Sequence, residues 1–381
     1  MSVRFSRPRS LAAGALAVAV PAAVALAVAV PGGAALASGP GNEFHQTNLI
    51  SDVSNQGAQV VDKNLQNPWG LAFSPTSPLW VANNNAGVAT LYNITPGGTS
   101  VKKVNLTVTL PGGRVSTNDG SSPTGQVFNP TAGFVVTTPA GSGPGLFIFS
   151  AEAGQISAWS PAADPVVKGA STATVEFSSP TAVYKGLTIA TNDDGTFLYA
   201  SNFHDGTVDV FNSSFKLVHL EGDFTDPRLP PGYAPFGIQN INGLIYVTYA
   251  LQNAAKHDDV AGRGHGFIDV YTSNGFLIER LASRGDLDSP WGLALAPAGF
   301  GPFGGKLLVG NFGNGLIHAY GLFSGRPGGA LLGESHRPIQ IDDLWALKFG
   351  TATTGGTGTL LFSAGINDEK DGLVGAINPV P

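Results

Sequence analysis

A strand signal broken by glycine, then a second apolar strand, a polar turn and a third strand, returns six times along this chain. The copies open at Asn67-Pro68-Trp69-Gly70, Asn129-Pro130-Thr131-Ala132-Gly133, Tyr184-Lys185-Gly186, Pro235-Phe236-Gly237, Ser289-Pro290-Trp291-Gly292 and Leu344-Trp345-Ala346. The glycines at 70, 133, 186, 237 and 292 are separated by 63, 53, 51 and 55 residues, and Ala346 takes the sixth place 54 further on. A unit of that length accommodates one four-stranded blade, so the chain reads as an all-β, six-bladed β-propeller.

A propeller must close its ring and leave no open sheet edge. The last repeat supplies only three strand signals before the chain ends, at residues 344–349, 360–363 and 373–377. Its outer strand is missing. In repeat four the outer strand, residues 276–281, directly precedes the loop into Ser289-Pro290-Trp291-Gly292, and residues 46–51 stand in the same relation to Asn67-Pro68-Trp69-Gly70. The N-terminal segment is therefore expected to complete blade six.

Composition fits such a chain. Charged residues are 12% where ~25% is usual, and glycine is 52 of 381 residues, as many tight turns require. Residues 1–37 read as an export signal: Arg4, Arg7 and Arg9, an apolar stretch over 11–30, then Ala35-Leu36-Ala37 as a small-residue cleavage site. The rival reading is a membrane anchor, but Pro21 and Pro31 interrupt the apolar stretch and the cleavage pattern follows directly. Residues 38–381 then form the propeller domain, located outside the cytoplasm, with 17 basic against 26 acidic residues once the three arginines are removed. That balance argues against nucleic acid as a partner. With no cysteine, the fold relies on burial and ring closure, and the chain is expected to be a monomer.

Asn67-Pro68-Trp69-Gly70-Leu71-Ala72, Lys256-His257-Asp258-Asp259-Val260-Ala261-Gly262 and Gly372-Leu373-Val374-Gly375-Ala376-Ile377 resemble a family of exported bacterial β-propeller proteins known mainly as conserved hypothetical proteins. More distantly, the repeats look like those of NHL, gluconolactonase and strictosidine-synthase-like propellers. The close resemblance implies a fold and an export route, without a reaction. Propellers carry hydrolases, lyases, binding modules and scaffolds alike.

No nucleophile elbow, His-Glu-x-x-His pattern or phosphate loop is present, and cysteine chemistry is excluded. Chemistry must come from the channel mouth, where the loops entering the inner strands and leaving the second strands converge. Aligning the second strands puts Asn83, Ser150, Asn202, Thr248, Asn311 and Ala364 in one column, with Asn85, Glu152 and His204 two residues on. Oxygens gathered there suit a hard cation such as calcium, with Asn83, Glu152 and Asn202 as the candidate ligands. The resemblance to lactonase-like propellers also implies a divalent metal in this place. The competing role for each Asn is to cap its own turn.

The position before each anchor glycine reads Trp69, Ala132, Lys185, Phe236, Trp291 and Trp345. Lys185 thus stands where four blades put an aromatic ring. It reads as a ligand contact, with a stem packed along the channel wall as the alternative. Trp69, Trp291 and Asn311 join it as ligand-binding candidates. In blade four, residues 252–266 carry Lys256, His257, Asp258, Asp259, Arg263 and His265, where an imidazole beside carboxylates suits acid-base work. Candidate catalytic residues are His204, His257, Asp258 and Asp259, against a solvated-loop reading for that segment.

The leading functional expectation is an exported binding or interaction module whose mouth loops take a small molecule, a carbohydrate or an extracellular protein. A calcium-dependent hydrolase or lactonase is the alternative, with His204 or His257 moving protons. A purely structural exported protein is the third.

Overall fold

The glycine period has a steric cause. The computed structural model describes residues 43–112 and 121–380, so the segment read as an export signal lies outside the described residues. Six inner strands, Pro68–Ala72, Pro123–Phe128, Tyr184–Asn192, Tyr233–Ile241, Pro290–Leu295 and Leu344–Phe349, each open an antiparallel blade. Each inner strand packs against the backbone of the next one around the ring. A Cβ on Gly70 would sit 2.6 Å from the Thr124 carbonyl, on Gly125 2.3 Å from the Leu187 nitrogen, on Gly237 2.1 Å from the Trp291 carbonyl and on Gly292 2.5 Å from the Trp345 carbonyl. Glycine is used here for close backbone approach.

This corrects the second repeat. Its inner strand is Pro123–Phe128 and its anchor is Gly125, 55 residues after Gly70, so Thr124 rather than Ala132 precedes the glycine. Asn129 to Phe134 leaves the sheet as a turn, in which the Asn129 side-chain amide donates to the Gly133 and Gly145 carbonyls, and Phe134 takes a left-handed φ of 55°.

Each inner strand also bulges at its x-Gly pair, Trp345-Ala346 in blade six: Pro68 pairs with Asn83 but Leu71 with Val81, and Tyr184 pairs with Asn202 but Leu187 with Ala200. In four blades the opposing residue is a hydroxyl. Ser150, Ser201, Thr248 and Ser363 accept from the backbone N–H of Gly125, Gly186, Gly237 and Ala346. Ser201, Thr248 and Ser363 then donate across to the next blade, to the Phe236, Pro290 and Trp69 carbonyls. Blade-to-blade contact is thus hydrogen-bonded at the bulge. The registers place Asn83, Ala151, Asn202, Tyr249, Asn311 and Ala364 in one column. The sequence alignment that put Ser150 and Thr248 beside Asn83 is one residue out, and a one-residue slip turns a side chain to the other face.

Ring closure occurs as the sequence implies. Glu43–Ser51 pairs antiparallel with Leu373–Pro379, from Phe44 opposite Pro379 to Ser51 opposite Leu373. Phe44, Leu49 and Ile50 are buried by the closure. Val60–Val61 and Leu332–Gly333 add short parallel pairings to the closing strand and cover its edge.

On the axis, rings from the inner strands form one layer. Trp69 stacks on Trp345 at 3.4 Å between centroids, Trp291 meets both edge-on at 6.1 and 5.8 Å, and Phe236 lies 6.0 Å from Trp345. Phe312 stacks on the other side of Trp345 at 4.1 Å. One cavity lies where the inner strands begin, and another where they end.

Candidate functional site

The cavity at the start of the inner strands has a volume of about 290 Å³ and is lined from five blades. Blade one contributes Asn67, Trp69, Asn84 and Asn85, and blade two Glu152. Lys185 comes from blade three, the His257-Asp258-Asp259 loop from blade four, and Trp345, Asp368, Glu369 and Lys370 from blade six.

Lys185 is the centre of this arrangement. Its bulged position aims the side chain along the axis, and only 2% of the residue is accessible. The ammonium bonds Glu152 Oε1 and lies 3.7 Å from Asp258 Oδ1. It also sits 5.1 Å above the Trp69 ring and 5.9 Å from that of Phe203. Burial alone would lower its pKa, but the charges of Glu152 and Asp258 outweigh burial and raise it, so the lysine is an ammonium.

The acids divide by environment. His257 Nδ1 lies 2.7 Å from Asp258 Oδ1, and this bond raises the imidazole pKa while lowering that of Asp258. Burial raises Asp259, against the opposing effect of the Ser289 hydroxyl and Lys185. Glu369 is pushed up to about 7, chiefly by burial, with the negative charge of Glu152 adding to it and the Asn67 amide and Lys185 opposing. It therefore changes protonation near neutral pH.

The backbone is strained to place Glu369. Asn367, Asp368 and Glu369 have φ of 60°, 55° and 60°, and the Glu369 N–H donates to the Gly365 carbonyl at 2.8 Å, one turn of left-handed helix. Such a conformation costs roughly 1–2 kcal/mol per non-glycine residue. The turn is held by Asn67, which donates to Glu369 Oε2 at 2.8 Å and accepts from the Trp345 indole at 3.0 Å. Asn85 donates to the Glu369 carbonyl at 2.6 Å, and Asn84 donates to Glu152 Oε2 at 3.1 Å.

Of the residues singled out in the sequence, Trp69, Glu152, Lys185, His257, Asp258 and Asp259 share this cavity. The column asparagines do not gather there. Asn83 donates to Thr90 Oγ1 at 2.9 Å and to the Val81 and Val88 carbonyls within its own hairpin. Asn202 donates to Asp205 and Asp209 and accepts from the Val183 N–H. Asn311 bridges Asp286, Asp288 and Asn314. Asn202 and Asn311 tie the loop entering the inner strand to its second strand, whereas Asn83 ties its second strand to the third. Trp291 belongs to the ring layer and donates to the Lys185 carbonyl at 3.3 Å, and His204 pairs with Asp205 at 2.9 Å away from the cavity lining.

No family model matches the chain. Two curated relatives align over most of it, both uncharacterised proteins of Acanthamoeba polyphaga mimivirus. One is 32% identical over 336 residues, covering 86% of this chain and 78% of its own length. The other is 31% identical over 340 residues, covering 87% and 85%. This chain belongs to their family. The resemblance read from the repeats pointed to bacterial proteins, whereas both of these relatives are viral. Among solved structures, a glucose dehydrogenase aligns at 12% identity over 87% of this chain and 99% of that chain with a TM-score of 0.50, a likeness of fold alone.

Sequence reasoning missed Glu369, Asn67 and Asn84. A signal for Glu369 existed: it lies in the loop leaving the second strand of blade six, Leu360–Ala364, where Asn85 and Glu152 stand in blades one and two.

Proposed function

We propose that this protein is a binding module whose ligand is a small molecule rich in hydrogen-bond donors, of the carbohydrate class, held in the cavity at the start of the inner strands. The observation that carries this reading is the left-handed turn at residues 367–369, backbone strain that places an acceptor, Glu369, among Glu152 and Asp258. Strain of this kind clusters at ligand sites because the surrounding fold must hold it. The lining is rich in oxygen acceptors, and its volume is near the ~300 Å³ lower end of ligand sites. Calorimetry with a panel of mono- and disaccharides tests it. A sugar that binds should lose about tenfold in affinity in Asp258→Asn, and a panel that neither binds nor raises the unfolding midpoint rejects the carbohydrate assignment.

A resident calcium fits this lining less well. Glu152, His257 and Asp258 do bring ligand atoms within 4.8 Å of one another. The Lys185 ammonium already bonds Glu152 and faces Asp258, and Asn84 takes the second Glu152 oxygen. Calcium needs 6 to 8 oxygens and would have to displace that ammonium. We further propose export with loss of residues 1–37, and an N-terminal sequence of the secreted protein beginning at Ser38 is the expected result.

A further inference from the structure

The other end of the axial channel has the opposite electrostatic character. A cavity of about 240 Å³ there is lined by all six inner strands beyond the ring layer, and a second of about 240 Å³ adjoins it between blades four, five and six. Leu71, Leu187, Leu293 and Leu347 give the walls apolar side chains, while inner-strand backbone and the amides of Gln239 and Asn240, which line both, make the exposed lining more polar than apolar. Lys348, on the last inner strand, also lines both and is the single titratable residue in either lining.

The Lys348 amine has no hydrogen bond or ion pair with any described residue. Its contact is with the Phe73 ring, 5.4 Å from Nζ to the centroid. The residue remains partly accessible through the channel. Burial lowers its pKa, in contrast to Lys185, where carboxylates reverse that effect. An ammonium so placed has no protein carboxylate to compensate it, and an arriving anion meets it among protein atoms that screen charge less than bulk water does.

We propose that this end of the channel is a second binding site, for a small organic monoanion, a short-chain or aromatic monocarboxylate, with Lys348 as its counter-ion. The leucine side chains of the wall take the hydrocarbon part and the amine takes the carboxylate. The cavity falls below the ~300 Å³ of drug-sized sites, which limits the ligand to a small acid. Binding favours the ammonium, so a proton is taken up when the free amine is partly neutral, and affinity falls as pH rises above the pKa of the free site.

Benzoate and butyrate are the probes, with benzamide and butyramide as neutral isosteres, each titrated calorimetrically into the full chain. The carboxylates should bind and the amides should not. Lys348→Met and Lys348→Gln should each weaken carboxylate binding about tenfold or more, the loss expected for a charged hydrogen bond. Lys348→Met should unfold no earlier than the parent, because the amine it removes has no hydrogen bond or ion pair with any described residue. Equal binding of acid and amide, undiminished binding by either variant, or no binding of either acid would overturn the assignment. None of these results depends on the acidic cavity.

Discussion

Replacing Glu369 with glutamine should make the protein less sensitive to pH between 5 and 8, with the variant more stable at the alkaline end. In the folded chain this carboxyl titrates at about 7 against an ordinary 4.5, mainly because it is buried. The folded state therefore keeps a proton that the unfolded chain has released, and stability is lost as pH rises from the unfolded value through about 7. The rise in pKa corresponds to about 3 kcal/mol, reduced to roughly 2 kcal/mol by the solvent that reaches a partly exposed group. Glutamine retains an acceptor for the Asn67 amide, which donates to Glu369 Oε2, but cannot ionise. Urea unfolding at pH 5, 6, 7 and 8 measures the effect. At pH 5 the variant should lead by only about 0.5 kcal/mol, and at pH 8 by about 2 kcal/mol. Asp269, which burial pushes up to about 6, contributes equally to both proteins and cancels in the difference. Parallel pH curves would refute the buried, proton-holding role of Glu369.

Gly125→Ala should destabilise by about 2–3 kcal/mol or prevent folding, since its Cβ would meet the Leu187 backbone nitrogen at 2.3 Å. Gly133→Ala should cost less, because its Cβ meets only the Ser213 side chain within 3.0 Å, and equal midpoints for the two would count against Gly125 as the anchor. Phe44→Ala should cost about 3–5 kcal/mol by thermal unfolding, as this buried ring of the closing strand packs 4.9 Å from Phe300 and 5.8 Å from Phe303. Lys185→Met should cost about 3–5 kcal/mol by leaving Glu152 without its counter-charge. The double variant with Glu152→Gln should recover part of that loss, and additive losses would indicate that the pair is not coupled.

The number of blades, the closing strand and most of the acidic cavity are legible in the sequence. Blade count follows from the glycine period because a Cβ at that place would strike the next blade, and that constraint recurs in five blades, with Ala346 in the corresponding place of the sixth. Closure followed from counting, since three strands in the last repeat leave an edge that only the N-terminal segment can fill. Lys185 stood out because a cation replaced an aromatic ring in a repeating position. Tertiary structure decided what repeat alignment does not contain. Asn129-Pro130 imitates the start of an inner strand, yet Pro123-Thr124-Gly125 forms it, because only Gly125 lies against the Leu187 backbone. A bulge in every inner strand shifts the register, so Ser150 and Thr248 bond the bulge while Asn83, Asn202 and Asn311 secure their own loops. Glu369 reaches Asn67, 302 residues away, through a left-handed turn that no local propensity favours. Lys348 resembles any surface lysine in the sequence. It is set apart by the ring of six inner strands, which places it in the wall of a shared cavity and brings no carboxylate to meet it.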